Sequence, residues 1–554
     1  MAIAVVSVGC GKTASPVAPA IAPPSSPVPA PDTLVAEVSV RGPDALWGRL
    51  QQGVGGPLGH LPQSLGGALA TTAKLDLTVA GEIDGAAPAY AVIAHPGSTF
   101  SWVAALRLRD VEHARATLLG GKQPRFSGRI ADGGLTVLGP PGAGDLHDGA
   151  STLPYMLALS PLGYLVVARS EADLVTLAPY ATRTLPARPP SAHALIVTVP
   201  RAALGGAIRE QLTAAVSDLR GTAAALDTSL RKQHGGSVPD LGDPTAVIDG
   251  LDDFARQKLT LLADLDRAEL ALDAGDDDLT AELSLVPGSE VAKKAFAALT
   301  TGDASPLLTL SGTTQVALLF RDDVTSLRDG AKTAEERTIA VFKPGLTPKD
   351  IAPIHEAFST WASARGPWLT AGFELEDGPT LALRTPTTDP ERAMRGVSEL
   401  IDLAHVPAFR AMLEAHFSVQ GVSTATATVP GVGATSIATF AHTGHGNGPQ
   451  LAVAWAATGD LLHVAAAGSP AQALRASKDP TSLLGSDIAL AGKLGALRDR
   501  ATFVFAGRHK FGVESGERHP SVVLGLGRDK ANGWALLEID DALVGEGLTR
   551  WLDL

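Results

Sequence analysis

One cysteine, few aromatics, a deficit of positive charge and no long apolar run set the first limits on this chain of 554 residues. Cys10 has no second thiol in the chain to pair with, so in an oxidising compartment it needs another role. Aromatic residues make up 5%. Cores must then be packed from Ala, Val and Leu, and the aromatic girdles of a transmembrane β-barrel are missing. The nearest approach to a membrane-spanning run, Leu451 to Ala467, is cut by Gly459, Asp460 and His463, whereas a spanning helix needs about 18 or more apolar residues. Acidic side chains number 58 against 45 basic ones, a net charge of -13. Such a surface repels phosphate backbones, so nucleic acid is excluded as a partner.

What is there is globular. Hydrophobic residues are 45% and charged residues 19%, enough apolar material for packed cores. The length suggests roughly two to four domain-sized units.

Residues Ala2 to Gly9 form a short apolar run that ends at Cys10, and a Pro-rich stretch, Ser15 to Pro31, follows. This pattern resembles the end of a bacterial lipoprotein signal peptide, with Gly9 as the small residue before the cysteine and Val8 as the branched aliphatic one. Ser7 stands where that family most often has Leu, and no Lys or Arg precedes the run. A start codon placed too late accounts for both departures. The resemblance implies that the peptide before Cys10 is removed and that the cysteine carries two or three acyl chains, enough for stable anchoring where one chain is not. Gly11 occupies the position at which an acidic residue would retain such a protein in the inner membrane. The expected location is therefore the cell envelope, lipid-anchored at the outer membrane. The bland alternative is an incidental cysteine near a frayed terminus. Gly11-Lys12-Thr13 imitates the end of a phosphate-binding loop, but Val6 stands where that loop needs Gly and prolines follow where it needs a helix.

Residues 1–10 are thus read as a truncated signal region and 11–32 as a Pro-rich linker, extended at about 3 Å per residue. Beyond it the order of elements repeats. Strand Thr33 to Val40 leads into a helix at Pro43, and Thr314 to Phe320 leads into one at Asp322. Leu75 to Ile83 and Ala89 to Ala94 are read as a hairpin about Asp84-Gly85, matched by Leu369 to Leu375 and Thr380 to Arg384 about Asp377-Gly378. Helices opening on Asp110 and Asp389 follow, each with its own cap. Gly163 to Ala168, a helix from Glu171 and strand Ala194 to Val199 match Leu461 to Ala466, a helix from Pro470 and strand Thr502 to Ala506. A closing hairpin and helix, Ala268 to Leu299, match Ser521 to Leu554.

The fold expected is α+β: two tandem copies, 33–303 and 308–554, of a mixed, largely antiparallel sheet module with helices packed on the sheets. The first copy carries a helical insertion over 200–266, read as Pro200 to Gln233 and Pro244 to Leu265, with Val247, Leu251, Phe254, Leu259, Leu262 and Leu265 on one face. The layout is similar to that of poorly characterised exported bacterial proteins built from repeated strand-helix modules. That resemblance implies no activity.

Candidate chemistry is thin. His442 and His445 are too few ligands for a zinc site and sit in a Gly-rich loop. Asp273 to Asp278 crowds carboxylates without the spacing of a calcium loop, and reads as an acidic hairpin turn. Ser160 precedes Pro161 as a turn residue, with no Gly-x-Ser-x-Gly element around it. Arg498, Arg500, Arg508, His509, Lys510 and Arg518 read as a solvated basic face. No catalytic residue, metal site or cofactor is selected, and Cys10 alone has an expected role, lipidation. The leading reading is a non-enzymatic scaffold of the envelope, meeting the membrane through its lipid anchor and other envelope proteins through its body. The alternatives are a carrier of an apolar ligand and a hydrolase, the last requiring a cleft that gathers Ser or a metal with His and Asp.

Overall fold

Alternating apolar residues form strands and capped amphipathic runs form helices throughout the computed structural model, which describes residues 26–552 without 73–76, 96, 98, 121–125, 132–133, 140–154, 234–254, 257, 376–377, 431, 443–450, 477–479, 481 and 509–518. Cys10, the run before it, Gly11-Lys12-Thr13 and most of the Pro-rich linker lie outside the described residues, as do Val247, Leu251, Phe254, His445, His509, Lys510 and Arg518.

The class is α+β. A first run of strands comprises β1 (Leu34–Val40), β2 (Ala89–Ala94), β3 (Ser101–Arg107), β4 (Ser127–Ile130), β5 (Thr136–Gly139), β6 (Met156–Ser160), β7 (Tyr164–Ala168), β8 (Leu195–Pro200), β9 (Leu265–Ala274) and β10 (Asp278–Pro287). A second comprises β11 (Val316–Arg321), β12 (Trp368–Glu374), β13 (Thr380–Pro386), β14 (Val419–Val429), β15 (Gly433–His442), β16 (Leu451–Thr458), β17 (Leu461–Ala467), β18 (Ala501–Arg508), β19 (Ser521–Asp529) and β20 (Asn532–Asp540). The helices that bear on the argument are α1 (Pro43–Val54), α2 (Leu65–Thr72), α3 (Leu77–Gly81), α4 (Val111–Leu119), α5 (Glu171–Pro179), α6 (Arg209–Gln233), α7 (Glu290–Ala297), α8 (Ser305–Leu308), α9 (Val324–Phe342), α10 (Pro348–Ala364), α11 (Pro390–Asp402), α12 (Pro407–Phe417), α13 (Pro470–Ala476), α14 (Ile488–Ala496) and α15 (Asp541–Leu552).

All twenty strands belong to one sheet, and every ladder among the described residues is antiparallel. Expecting each copy to have its own sheet therefore needs correction. From one edge the order runs β4-β5-β6-β7-β3-β2-β1-β8-β9-β10, and from the other β14-β15-β16-β17-β13-β12-β11-β18-β19-β20, the two meeting where β10 pairs with β20. Strand for strand the order is the same. Registers agree too: Val38 faces Ala91 and Val197 as Leu318 faces Ala371 and Phe505. Leu270 faces Leu283 as Leu524 faces Leu537. At the seam Glu282 faces Leu536, with Ala281 on Leu537 and Leu283 on Ala535, the pairing of an approximate two-fold axis.

Side chains alternate between the two faces of a strand, and the pairings carry each face across the whole sheet. Face A carries Val92, Val103 and Val166 under α5, and Leu319, Val504 and Val523 under α8 and α14. Face B carries Ala89, Leu106 and Leu165 under α2 to α4, and Phe440, Trp455 and Leu462 under α11 and α12. Helix starts obey local chemistry. Asp110 accepts from the backbone N–H of Glu112 and His113, and Asp389 from that of Arg392, each cap contributing about 1 kcal/mol. Helix α15 crosses α1 at glycines, a Cβ on Gly545 falling 2.2 Å from the Val54 carbonyl oxygen, so the last helix of the second run is seated on the first.

Two further expectations are corrected. Within the segment Leu75 to Ile83, read as a strand, α3 occupies Leu77–Gly81 and buries Val79 and Ala80 in the face-B core, and the hairpin partner of β2 is β3. The insertion ends earlier than Leu265, which opens β9 and is buried beneath Leu261 and Leu262. Between the two runs, Leu307 in α8 and Leu310 are buried in the second core. Ser160 ends β6 rather than lying in the turn, which the Gly163 N–H closes onto its carbonyl, and the Asp273 to Asp278 segment spans the tip of the β9–β10 hairpin, where the Gly275 N–H donates to the Asp278 carbonyl.

Candidate functional site

Of the predicted site residues, Cys10 and His445 fall outside the described residues, and His442 ends β15. Among the described residues no group of three or more His, Cys, Asp or Glu is arranged to hold a metal. Of the basic run, Arg498 is exposed as expected, His509, Lys510 and Arg518 lie outside the described residues, and Arg500 and Arg508 depart from a solvated face. Arg508 is buried against Asp487 and donates to the Gly312 and Thr314 carbonyls, while Arg500 pairs with Glu282 and Asp529 and lies 4.2 Å over the Trp534 ring. The tertiary structure brings together three features that sequence reasoning missed.

The first is bare apolar surface on face B. Strands β20, β19, β18, β11 and β12 present Leu537, Leu526, Phe503, Phe320 and Phe373, and among the described residues these stay partly open: Leu526 is 40% exposed, Phe320 39%, Leu537 37% and Phe373 36%, with Phe503 half-buried between them. The Phe320 and Phe503 rings pack at a tilt of 54° with their centroids 5.1 Å apart. Strand spacing and pleat make this roughly 24 Å by 20 Å, on the order of 500 Å², near the upper end of what a monomer leaves uncovered. In the first run Leu283, the counterpart of Leu537, is half-buried against the cluster of Leu204, Leu265 and Phe296, on which Leu261 and Leu262 of the helical insertion also pack.

The second is a groove of about 550 Å³ on face A, beside β1 and β8. Its floor holds Glu37, an acid in an otherwise apolar strand. Tyr180 Oη donates to Glu37 Oε1 at 2.5 Å, and the Arg188 guanidinium pairs with both carboxylate oxygens, Nη2 lying 3.1 Å from Oε1. Burial, reinforced by the hydrogen bond to Glu37, pushes the Tyr180 phenol up to about 12, so it remains a donor. At the rim His193 Nδ1 meets Asp273 Oδ2 at 2.7 Å, and Asp273 also accepts from the Ala194 N–H. Asp273 is held below the usual carboxylate range; burial works against this, and His193, the Ala194 N–H and Arg41 outweigh it. Ser39 and Ser191 line the same groove, yet Ser191 Oγ accepts from the backbone N–H of His193. Among the described residues no Ser hydroxyl is hydrogen-bonded to the His193 ring.

The third is a knot of acids at one end of the seam. Asp278 faces Asp540 across β10 and β20, Lys493 of α14 reaches Asp540 at 3.4 Å, and Asp540 accepts from Ser521 N and Oγ. Burial, with Asp278 and Asp540 adding to it against the pull of Lys493, pushes the Glu538 carboxyl up to about 7. Asp541 is raised as well, first by burial and then by Asp278. A carboxyl whose folded value lies above its unfolded one binds more protons when folded, so stability falls as pH rises from about 4.5 to about 7. Urea unfolding across that window is expected to show the fall, and Glu538→Gln to flatten it while leaving the protein more stable than wild type at pH 8. An unchanged slope in the variant would assign the effect elsewhere.

No family model matches the chain, and no curated protein matches it. Among solved structures, one described as "Structure of crystal form IV of TP0453" is 10% identical, covers 46% of this chain and 98% of its own, and has a TM-score of 0.19. A likeness that low carries no argument about fold or function.

Proposed function

We propose that the chain is an envelope lipoprotein, acylated at Cys10, whose body is a non-enzymatic docking platform made of two copies of one module. The bare part of face B is, in this reading, covered by an apolar helical element of a partner protein. One observation carries it: Leu283 is half-buried against a cluster on which the helical insertion packs, whereas its counterpart Leu537 is 37% exposed among phenylalanines and leucines. The first copy thus supplies the occupant that the second copy's surface fits. Identical strand order and matching registers support two copies of one module. Shape and apolarity favour a partner that buries the central Phe320–Phe503 pair as its anchor.

Gentle detergent extraction from the producing cells, followed by native mass measurement, tests the platform. Wild type is expected above its monomer mass, and Phe320→Asp with Leu526→Asp at monomer mass with its thermal unfolding nearly unchanged, since both positions are exposed. Wild type running as a monomer would sink the proposal, as would a double variant that keeps the larger mass.

A further inference from the structure

The face-A groove is independent of the docking surface, and its chemistry is specific. One wall is apolar and stiff, built from Pro88, Tyr90, Leu185, Pro186, Pro189 and Pro190, with Ile196 on the floor. Its volume of about 550 Å³ falls within the roughly 300–1,000 Å³ of small-molecule sites. At its edge the charges are two guanidinium groups, Arg41 and Arg188, two carboxylates, Glu37 and Asp273, and the His193 ring. Glu37 is already matched by Arg188 and Tyr180. That leaves Arg41, which spends one N–H on the Ala192 carbonyl at 2.9 Å, and His193, whose Nδ1 is engaged by Asp273 and whose Nε2 is the opposite ring nitrogen. Asp273 orients that ring, as a carboxylate partner commonly does for a histidine. With Nδ1–H given to Asp273, the far nitrogen of His193 donates only in the doubly protonated ring; the remaining Arg41 donors, joined by that charged ring, can then meet one anionic group at the mouth of an apolar slot.

We propose that this groove binds an anionic amphiphile: a carboxylate at Arg41 and His193, with an apolar body along the proline and Tyr90 wall. The complementarity is one of charge and shape together. A neutral chain would leave the free Arg41 donors without an anion, and a cationic one would face Arg41 and Arg188. A proline-rich peptide also suits a proline and tyrosine wall, but it offers no anion to the rim. The N-terminal linker passes close by, since Val28 N donates to Thr184 Oγ1 at 2.9 Å, which makes that peptide the natural competitor to test.

Calorimetric titration of the full-length protein with dodecanoate, dodecanol and dodecyltrimethylammonium reads the selectivity. Dodecanoate is expected to bind one to one, at least tenfold more tightly than the alcohol, with no binding of the cation. Arg41→Gln keeps a donor for the Ala192 carbonyl at an exposed position and is expected to weaken dodecanoate at least tenfold while leaving the alcohol unchanged. Phe320→Asp on face B is expected to change neither, which separates this site from the docking surface. Equal affinity for acid and alcohol, an Arg41→Gln variant that binds like wild type, a loss caused by Phe320→Asp, or binding of a residue 15–31 peptide but no dodecanoate would each overturn the proposal.

Discussion

Lys493→Ala is expected to cost about 3–5 kcal/mol of folding stability, a large share of the 5–15 kcal/mol that holds a typical domain together. Lys493 and Asp540 have side chains only 4% and 5% exposed and lie 3.4 Å apart. Removing the cation leaves the Asp540 carboxylate in the seam beside Asp278 and Glu538 without its buried counter-charge, the Ser521 N–H and hydroxyl still donating to it. The loss should appear in urea unfolding as a lower midpoint at unchanged slope, and it should shrink at low pH, where the carboxyls are protonated. Lys493→Met with Asp540→Asn should recover most of it, because the pair is neutralised together and Asn still offers an acceptor to the Ser521 N–H. A loss below about 1 kcal/mol, typical of a solvated ion pair, would mean that the seam does not depend on this contact.

Cys10→Ala is expected to abolish membrane anchoring outright. The proposed thioether-linked lipid has two chains. Each buried methylene adds about 0.8 kcal/mol, and a single chain alone gives only marginal, reversible binding. Radiolabelled palmitate should enter the wild type and not the variant, and the variant should move from the membrane fraction to the soluble envelope fraction. Equal labelling of the two would leave Cys10 an incidental thiol. Since the Pro-rich stretch runs from Ser15 to Pro31, folding of the body should be indifferent to the change.

Local features were legible because their chemistry is contained in a few neighbouring residues. Asp110 and Asp389 cap the helices they precede, and Asp273 to Asp278 turns between β9 and β10, as their residue types require. The recurrence of elements was legible for the same reason. Leu75 to Ile83 misled because its spacing suits a strand, while burial of Val79 and Ala80 favours a helical turn. Two signals were present and unused. Glu37 in an apolar strand and Lys493 in an apolar helix are charges where a buried face wants none, and each marks a paired site.

Composition and pattern by themselves determined the α+β class, the twofold recurrence of elements, the exclusion of helical membrane spans and the lipobox-like reading of Cys10. Only the tertiary structure decided that the two runs merge into one sheet through β10 and β20, that Glu37 meets Arg188 and His193 meets Asp273, and that Leu537 stays open where Leu283 is half-buried. The physical reason is range: caps and turns act over a few residues, whereas strand pairing and burial couple residues far apart in the chain, Trp534 and Glu282 being 252 apart.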